Sequence, residues 1–218
     1  MVKLNFYRAF LVICLGLIGN LILEAKENRG AKGNGRDRER MPRILIVGLN
    51  DNVKSNYFYA GMIADETGME AEHIDREYNR IIAENIVAAN RSDDCCFVTA
   101  DPEAVDEQFS RSVRMNGEEE DCYPDLSSVS PEVWRNLMDE ADYLLMLNRH
   151  YLKWQDEPLR TLFHIVSYTL FDREGREIYR GNNYFTSMNL EKPDALKRIS
   201  RKSSSRIAAN VIRSLDIR

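Results

Sequence analysis

The fold is decided by residues 141–187, ADYLLMLNRHYLKWQDEPLRTLFHIVSYTLFDREGREIYRGNNYFTS. It contains three apolar, aromatic-rich runs: ADYLLMLNRHYLKW, TLFHIVSYTLFD and REIYRGNNYFTS. β-Branched and aromatic residues favour a pleated, half-buried surface. Glu174-Gly175 between the last two runs is good hairpin-turn chemistry. The stretch therefore predicts an antiparallel meander that forms the spine of a sheet. Asn182-Asn183 is the expected place for a bulge or bend within it.

On either side of the meander the signals are helical. Ser130-Pro131 puts a hydroxyl cap before a proline at the first helical position. The helix then runs to Ala141, with Val133, Trp134, Leu137 and Met138 as its apolar stripe. Downstream, Pro193 and Asp194 start a helix that runs to Ile217. Its RKSSSR segment, residues 201–206, reads as a polar, exposed turn. Further upstream, RILIVGL at 43–49 is an almost unbroken apolar run, as expected of a strand covered on both faces. A helix near 55–66 ends at Gly68. Asp75 caps a clearer helix to Asn90, whose stripe is Tyr78, Ile81, Ile82, Ile86 and Ala89. CCFVT at 95–99 is a further strand, and Pro102–Val113 a further helix. NGEEEDCYPDLSSVS, with its acids, Gly and Pro, reads as an exposed loop.

The order is β-α-β-α-β-β-β-α. Helices between the early strands imply parallel pairing, and the short late links imply antiparallel pairing. The fold class is thus α/β (α+β): a mixed sheet with helices packed on it, formed as a single domain by residues 42–218.

The first 41 residues have a different character. Lys3 and Arg8 precede the apolar run Ala9–Leu23, AFLVICLGLIGNLIL. Its length suits a secretory signal better than a spanning helix. Residues 1–25 are therefore expected to be a signal peptide or amino-terminal anchor, with Ala25 before the cut if cleavage occurs. Cys14 does not fit a lipoprotein signal, because Ile13 before it is not small. Residues 26–41, rich in charge and Gly, read as a flexible linker. The expected location is periplasmic or otherwise envelope-associated, with membrane contact only through an uncleaved amino terminus.

The chain carries a formal net charge of −5, and beyond residue 40 it holds 22 Lys/Arg against 31 Asp/Glu. Phosphate backbones repel such a surface, so no nucleic-acid partner is expected. Cys95, Cys96 and Cys122 would remain after removal of a signal. Adjacent cysteines on a strand point to opposite faces, so buried thiols are the favoured reading, and one of them bonded to Cys122 is the alternative. His150 and His164 fall on neighbouring strands and read as sheet histidines with hydrogen-bonded rings. The Glu118–Asp121 run lacks the alternating ligands and central Gly of a calcium loop. There is no phosphate-binding glycine motif around Gly48. No catalytic, metal or cofactor residue is assigned, and no cofactor is expected. The dense aromatics are mostly core and cross-strand pairs. Tyr151, Trp154 and Tyr184 are the predicted partner-binding residues, on a sheet face not covered by a helix.

A helix running into Ala141-Asp142-Tyr143-Leu144-Leu145, the first strand RILIVGL and the hairpin Asp172–Tyr179 together resemble one superfamily. It is the α/β domain shared by the TolB amino-terminal domain, the curli secretion lipoprotein and the lipoprotein activators of cell-wall synthases. The likeness covers residues 43–217. It departs from the pattern at Asn148, where Gly is common, and in the long segment 100–129. The resemblance implies an exported, non-catalytic cell-envelope protein that binds a protein partner in assembly, secretion or regulation. The competing reading is a small thiol-dependent hydrolase built on Cys95 or Cys96 and a histidine.

Overall fold

A computed structural model describes residues 41–91, 95–100 and 107–216. The expected signal or anchor, almost all of the expected linker and the first part of the helix expected at 102–113 lie outside the described residues. The elements are β1 (Arg43–Gly48), β2 (Val53–Ser55), α1 (Ala60–Thr67), α2 (Ile74–Ala89), β3 (Cys96–Thr99) and α3 (Glu107–Ser112). They continue with β4 (Arg114–Asn116), β5 (Tyr123–Asp125), α4 (Pro131–Leu137), β6 (Tyr143–Gln155), β7 (Thr161–Asp172), β8 (Glu177–Ser187) and α5 (Pro193–Asp216).

The meander is the spine. The main sheet has the order β3-β1-β6-β7-β8. β1 pairs in parallel with the first part of β6 and β2 with the part beyond it, from His150 to Leu152. β6, β7 and β8 are antiparallel neighbours. The fold is the mixed α/β arrangement read from the element order. At the proximal end, where β6 begins, Arg43 N–H donates to Asp142 Oδ2 at 2.8 Å. The turn into β8 is held by buried Asp172, whose Oδ1 accepts from Glu174 N–H (3.1 Å) and Arg176 N–H (2.9 Å). Gly175 takes the left-handed conformation there, φ 77°.

One sheet face is covered along its length. Ile82, Ala83 and Ile86 of α2 and Ile207, Ala208 and Val211 of α5 pack on Ile44, Ile46, Leu145, Leu147, Val166, Tyr168 and Leu170. Ile63, Ile74, Tyr78 and Leu196 continue this core over Leu152 and Leu162. The other face is covered only proximally. Phe109, Val113, Met138 and the half-buried Trp134 pack on Val47, Leu144, Met146 and Phe171.

Several local expectations are corrected. Asp75 does not cap α2; it sits in the first turn, and its Oδ1 accepts from Val53 N–H at 2.7 Å. The RKSSSR segment is exposed only in part: Arg201, Lys202, Ser205 and Arg206 face solvent, but Ser203 and Ser204 are buried, as is Ser200 one turn earlier. The i, i+3, i+4 spacing of the apolar stripe runs on through these small residues, where Asn85 of α2 donates to Ser200 Oγ (2.9 Å) and Lys197 O (2.8 Å). The meander does not bulge at Asn182-Asn183. The register of β6 on β7 shifts at Asn148, and that of β7 on β8 between Leu170 and Phe171. The segment after α3 is not simply an exposed loop. β4 and β5 form a small antiparallel pair, and Cys122 beside them is buried against the sheet.

Candidate functional site

β7 places the site. From Thr161 to Val166 its residues alternate between half-buried and buried; from Val166 to Asp172 all are buried. Alternation marks a strand covered on one side, and a continuous buried run marks one covered on both. The second face is therefore open over the distal half of β7 and β8, while Tyr151 of β6, on the same face, stays buried. Open faces normally carry polar side chains, yet Phe163 and Ile165 occupy this one.

The ladder aligns them in rows. Tyr151 pairs with Ile165, which pairs with Tyr184; Lys153 pairs with Phe163, which pairs with Thr186. Tyr184 is 58% exposed, and its ring lies 6.3 Å from that of Phe163. Tyr151 is only 6% exposed. Burial first, then a hydrogen bond to Glu119 and the charges of Glu119 and Glu120, push its hydroxyl up to about 12.

The segment between β4 and β5 borders this open half as a flap. The Cys122 thiol lies 3.1 Å from Ser167 Oγ. Asn148 at the bulge donates to Thr169 Oγ1 (2.9 Å) and Cys122 O (3.3 Å). Lys153 Nζ lies 3.3 Å from Glu120 and 3.7 Å from Glu119. Arg180 lies over the Tyr123 ring at 4.1 Å. These acids are thus used in part to hold the flap on the sheet.

Of the three predicted partner-binding residues, Tyr151 and Tyr184 share this row and Trp154 does not. Trp154 packs with the core of the covered face, where Tyr57 stacks on it at 5.8 Å and Arg160 lies over its ring at 4.8 Å. Residues three apart on a strand point to opposite sides, so Tyr151 and Trp154 separate. The sequence reading missed Phe163 and Ile165. The alternation in TLFHIV was the signal, but it does not say which side is bare.

The histidines on the covered face are structural. His150 Nε2 lies 3.0 Å from Asn79 Oδ1, and His164 Nε2 2.9 Å from Ser187 Oγ. His164 also stacks on Phe185 at 4.6 Å. Burial pulls both rings down to about 3, with repulsion from His150 a further cause for His164. Cys95, Cys96 and Cys122 form no disulfide, so the alternative pairing with Cys122 is not made. Cys96 Sγ faces its neighbour Phe97 O at 3.8 Å, and Cys122 is held by Ser167. The thiol-hydrolase alternative gains no support from this arrangement.

A second concavity, a crevice of 480 Å³, lies at the carboxyl ends of β1 and β3 beside α2. Asn79 closes its floor: its amide donates to Leu49 O (2.9 Å), and its Oδ1 accepts from Asn52 (2.9 Å). A Cβ on Gly48 would lie 2.1 Å from Asn79 Cγ, so glycine is required by close approach. At the rim of the crevice, Glu70, Glu72 and His73 offer the only metal-like cluster among the described residues, and it is largely exposed. Among the described residues, no helix is long and apolar enough to cross a membrane.

No protein-family model and no curated protein matches the chain. Solved structures similar to it include a hypothetical protein of Chlamydia trachomatis, 12% identical, with a TM-score of 0.46, over 79% of this chain and 96% of that one. The PelC dodecamer of Paraburkholderia phytofirmans is 10% identical, with a TM-score of 0.36, over 77% of this chain and 87% of that one. A variant of the same PelC dodecamer is 11% identical, with a TM-score of 0.37, over 79% of this chain and 93% of that one.

Proposed function

We propose that the chain is an exported, non-catalytic binding domain of the cell envelope, held on an amino-terminal linker. Its protein partner is taken on the open distal half of the β7–β8 face. The observation that carries this reading is exposed Tyr184 beside half-buried Ile165 and Phe163, an apolar surface on β7 and β8 where the sheet has no cover, with buried Tyr151 at its edge. Tyr and its neighbours supply contact area with few rotamers to freeze. The envelope location rests on the basic head and apolar run at residues 3–23, and the TolB-like assignment on the motifs at 43–49, 141–145 and 172–179.

A photoreactive residue at Tyr184, in the full chain in its native envelope, tests the reading. It should yield one dominant protein adduct that is lost when Ile165→Asp is added. The same probe at exposed Arg201, on α5, should not yield that adduct. Equal labelling from both positions would refute the reading.

A further inference from the structure

Of the exposed large apolar side chains among the described residues, Met41, Tyr123 and Tyr184 stand apart, but Tyr57, Tyr59, Leu159 and Met188 gather at the distal end of the sheet, and the last two are 75% and 69% exposed. They come from separate connections. Tyr57 and Tyr59 follow β2, where Asn56 pairs with Trp154 through Trp154 N–H to Asn56 Oδ1 at 2.7 Å. Leu159 is in the β6–β7 hairpin, and Met188 follows β8, whose Ser187 pairs with Leu162. Trp154 stands behind them, stacked on Tyr57 and under the Arg160 guanidinium. This rim is a set of projecting turns around a strand end, not a groove that receives a peptide.

We propose that this rim is a lipid-contacting edge that inserts Leu159, Met188, Tyr57 and Tyr59 into the interfacial zone of a bilayer. Leu and Met supply the apolar wedge, while Tyr, Trp and Arg suit the headgroup level. There is no basic excess here: Lys54 is ion-paired with Asp51, and Arg160 stands with Asp156 and Glu157, so insertion is driven by apolar partition and not by anionic lipid.

The chain outside the described residues argues for lipid as the occupant. It joins β1 at the proximal end, and β6 with its 13 residues separates that end from the rim by about 40 Å. The polar stretch 26–41, fully extended, spans about 50 Å. If the amino terminus is retained, the apolar run Ala9–Leu23 and the rim can therefore engage one bilayer together. The sequence had suggested membrane contact only through the amino terminus; the rim adds a second contact.

The chain's two tryptophans provide the test. Full-length Trp134→Phe protein, whose only tryptophan is Trp154, is excited in the indole band beyond tyrosine absorption and mixed with phosphatidylcholine vesicles carrying brominated acyl chains. Its emission should fall about twofold or more, as expected for a ring at the acyl boundary. The fall should vanish in Leu159→Asp/Met188→Asp protein, even where residues 1–40 still carry that protein onto vesicles. The Trp154→Phe counterpart, which keeps only Trp134, should stay unquenched. Unquenched Trp154 on vesicle-bound protein would overturn the proposal. So would equal quenching of Trp134, a requirement for anionic lipid, or a lipid-free dimer that Leu159→Asp/Met188→Asp abolishes.

Discussion

Acidification from pH 7 to pH 5 is expected to weaken the fold through two buried histidines. His150 and His164 are each 2% exposed and are kept neutral by burial, at about 3. In the unfolded chain each titrates near 6.5. The folded pKa is the lower one, so the unfolded state binds more protons across the window between them. Stability is therefore greatest above about pH 6.5 and falls as the pH drops toward 3. Between pH 7 and pH 5 each ring contributes a loss of about 2 kcal/mol, and the pair about 4 kcal/mol. Most carboxylates titrate below this window, which isolates the histidine effect. The assay is urea denaturation at pH 7, 6 and 5, comparing the wild-type chain with His150→Gln, His164→Gln and the double variant. The variants lose stability at pH 7, because the Asn79 or Ser187 hydrogen bond is disturbed. Each single variant should lose about half of the pH slope, and the double variant nearly all of it. A wild-type profile flat from pH 7 to pH 5, or a slope unchanged in the double variant, would refute the reasoning.

Other expectations follow from single contacts. Gly48→Ala forces its new methyl into Asn79 and should cost about 1–3 kcal/mol, read as a lower urea midpoint at unchanged m-value. Asp172→Ala removes the acceptor for Glu174 N–H, Arg176 N–H and Arg176 Nε and should cost about 2–3 kcal/mol by the same assay. Ser204→Ala should raise stability by about 1 kcal/mol, because the buried Ser204 hydroxyl has no partner among the described residues; a loss of stability would show that the hydroxyl is satisfied.

The meander was legible because its β-branched and aromatic runs are long and its turn at Glu174-Gly175 is explicit. α2 and α4 were legible from their stripes, and Ser130 does cap α4, accepting from Val133 N–H at 3.2 Å. What the sequence hid was mostly short or polar. β2 has three residues, and β4 and β5 have three each, too short for a periodic signal. The flap looked like solvent-exposed sequence because Cys122 and Pro124 are isolated among acids and polar residues, yet both are buried. The serines of α5 are polar by type but small, and tight packing on α2 uses their size more than their polarity.

The candidate site was half legible for a comparable reason. Aromatic density pointed to the strands that carry the proposed surface, and Tyr184 stands on the open face. Parity decided the rest: Tyr151 and Trp154, three apart, separate onto opposite faces, Ile165 completes the row of Tyr151 and Tyr184, and Phe163 stands in the next row. Which face stays bare depends on how far the segment 107–141 reaches over the sheet. That is a tertiary fact with no local signature.

The central claim is that the open end of the Tyr151–Ile165–Tyr184 row, Ile165 and Tyr184, is a protein-binding surface. It is tested most directly by the affinity of the partner captured at Tyr184 for the Ile165→Asp chain. A carboxylate placed between the two tyrosines should weaken binding about thirtyfold or more, while the urea midpoint shows the domain still folded. Undiminished affinity in that folded variant would contradict the account.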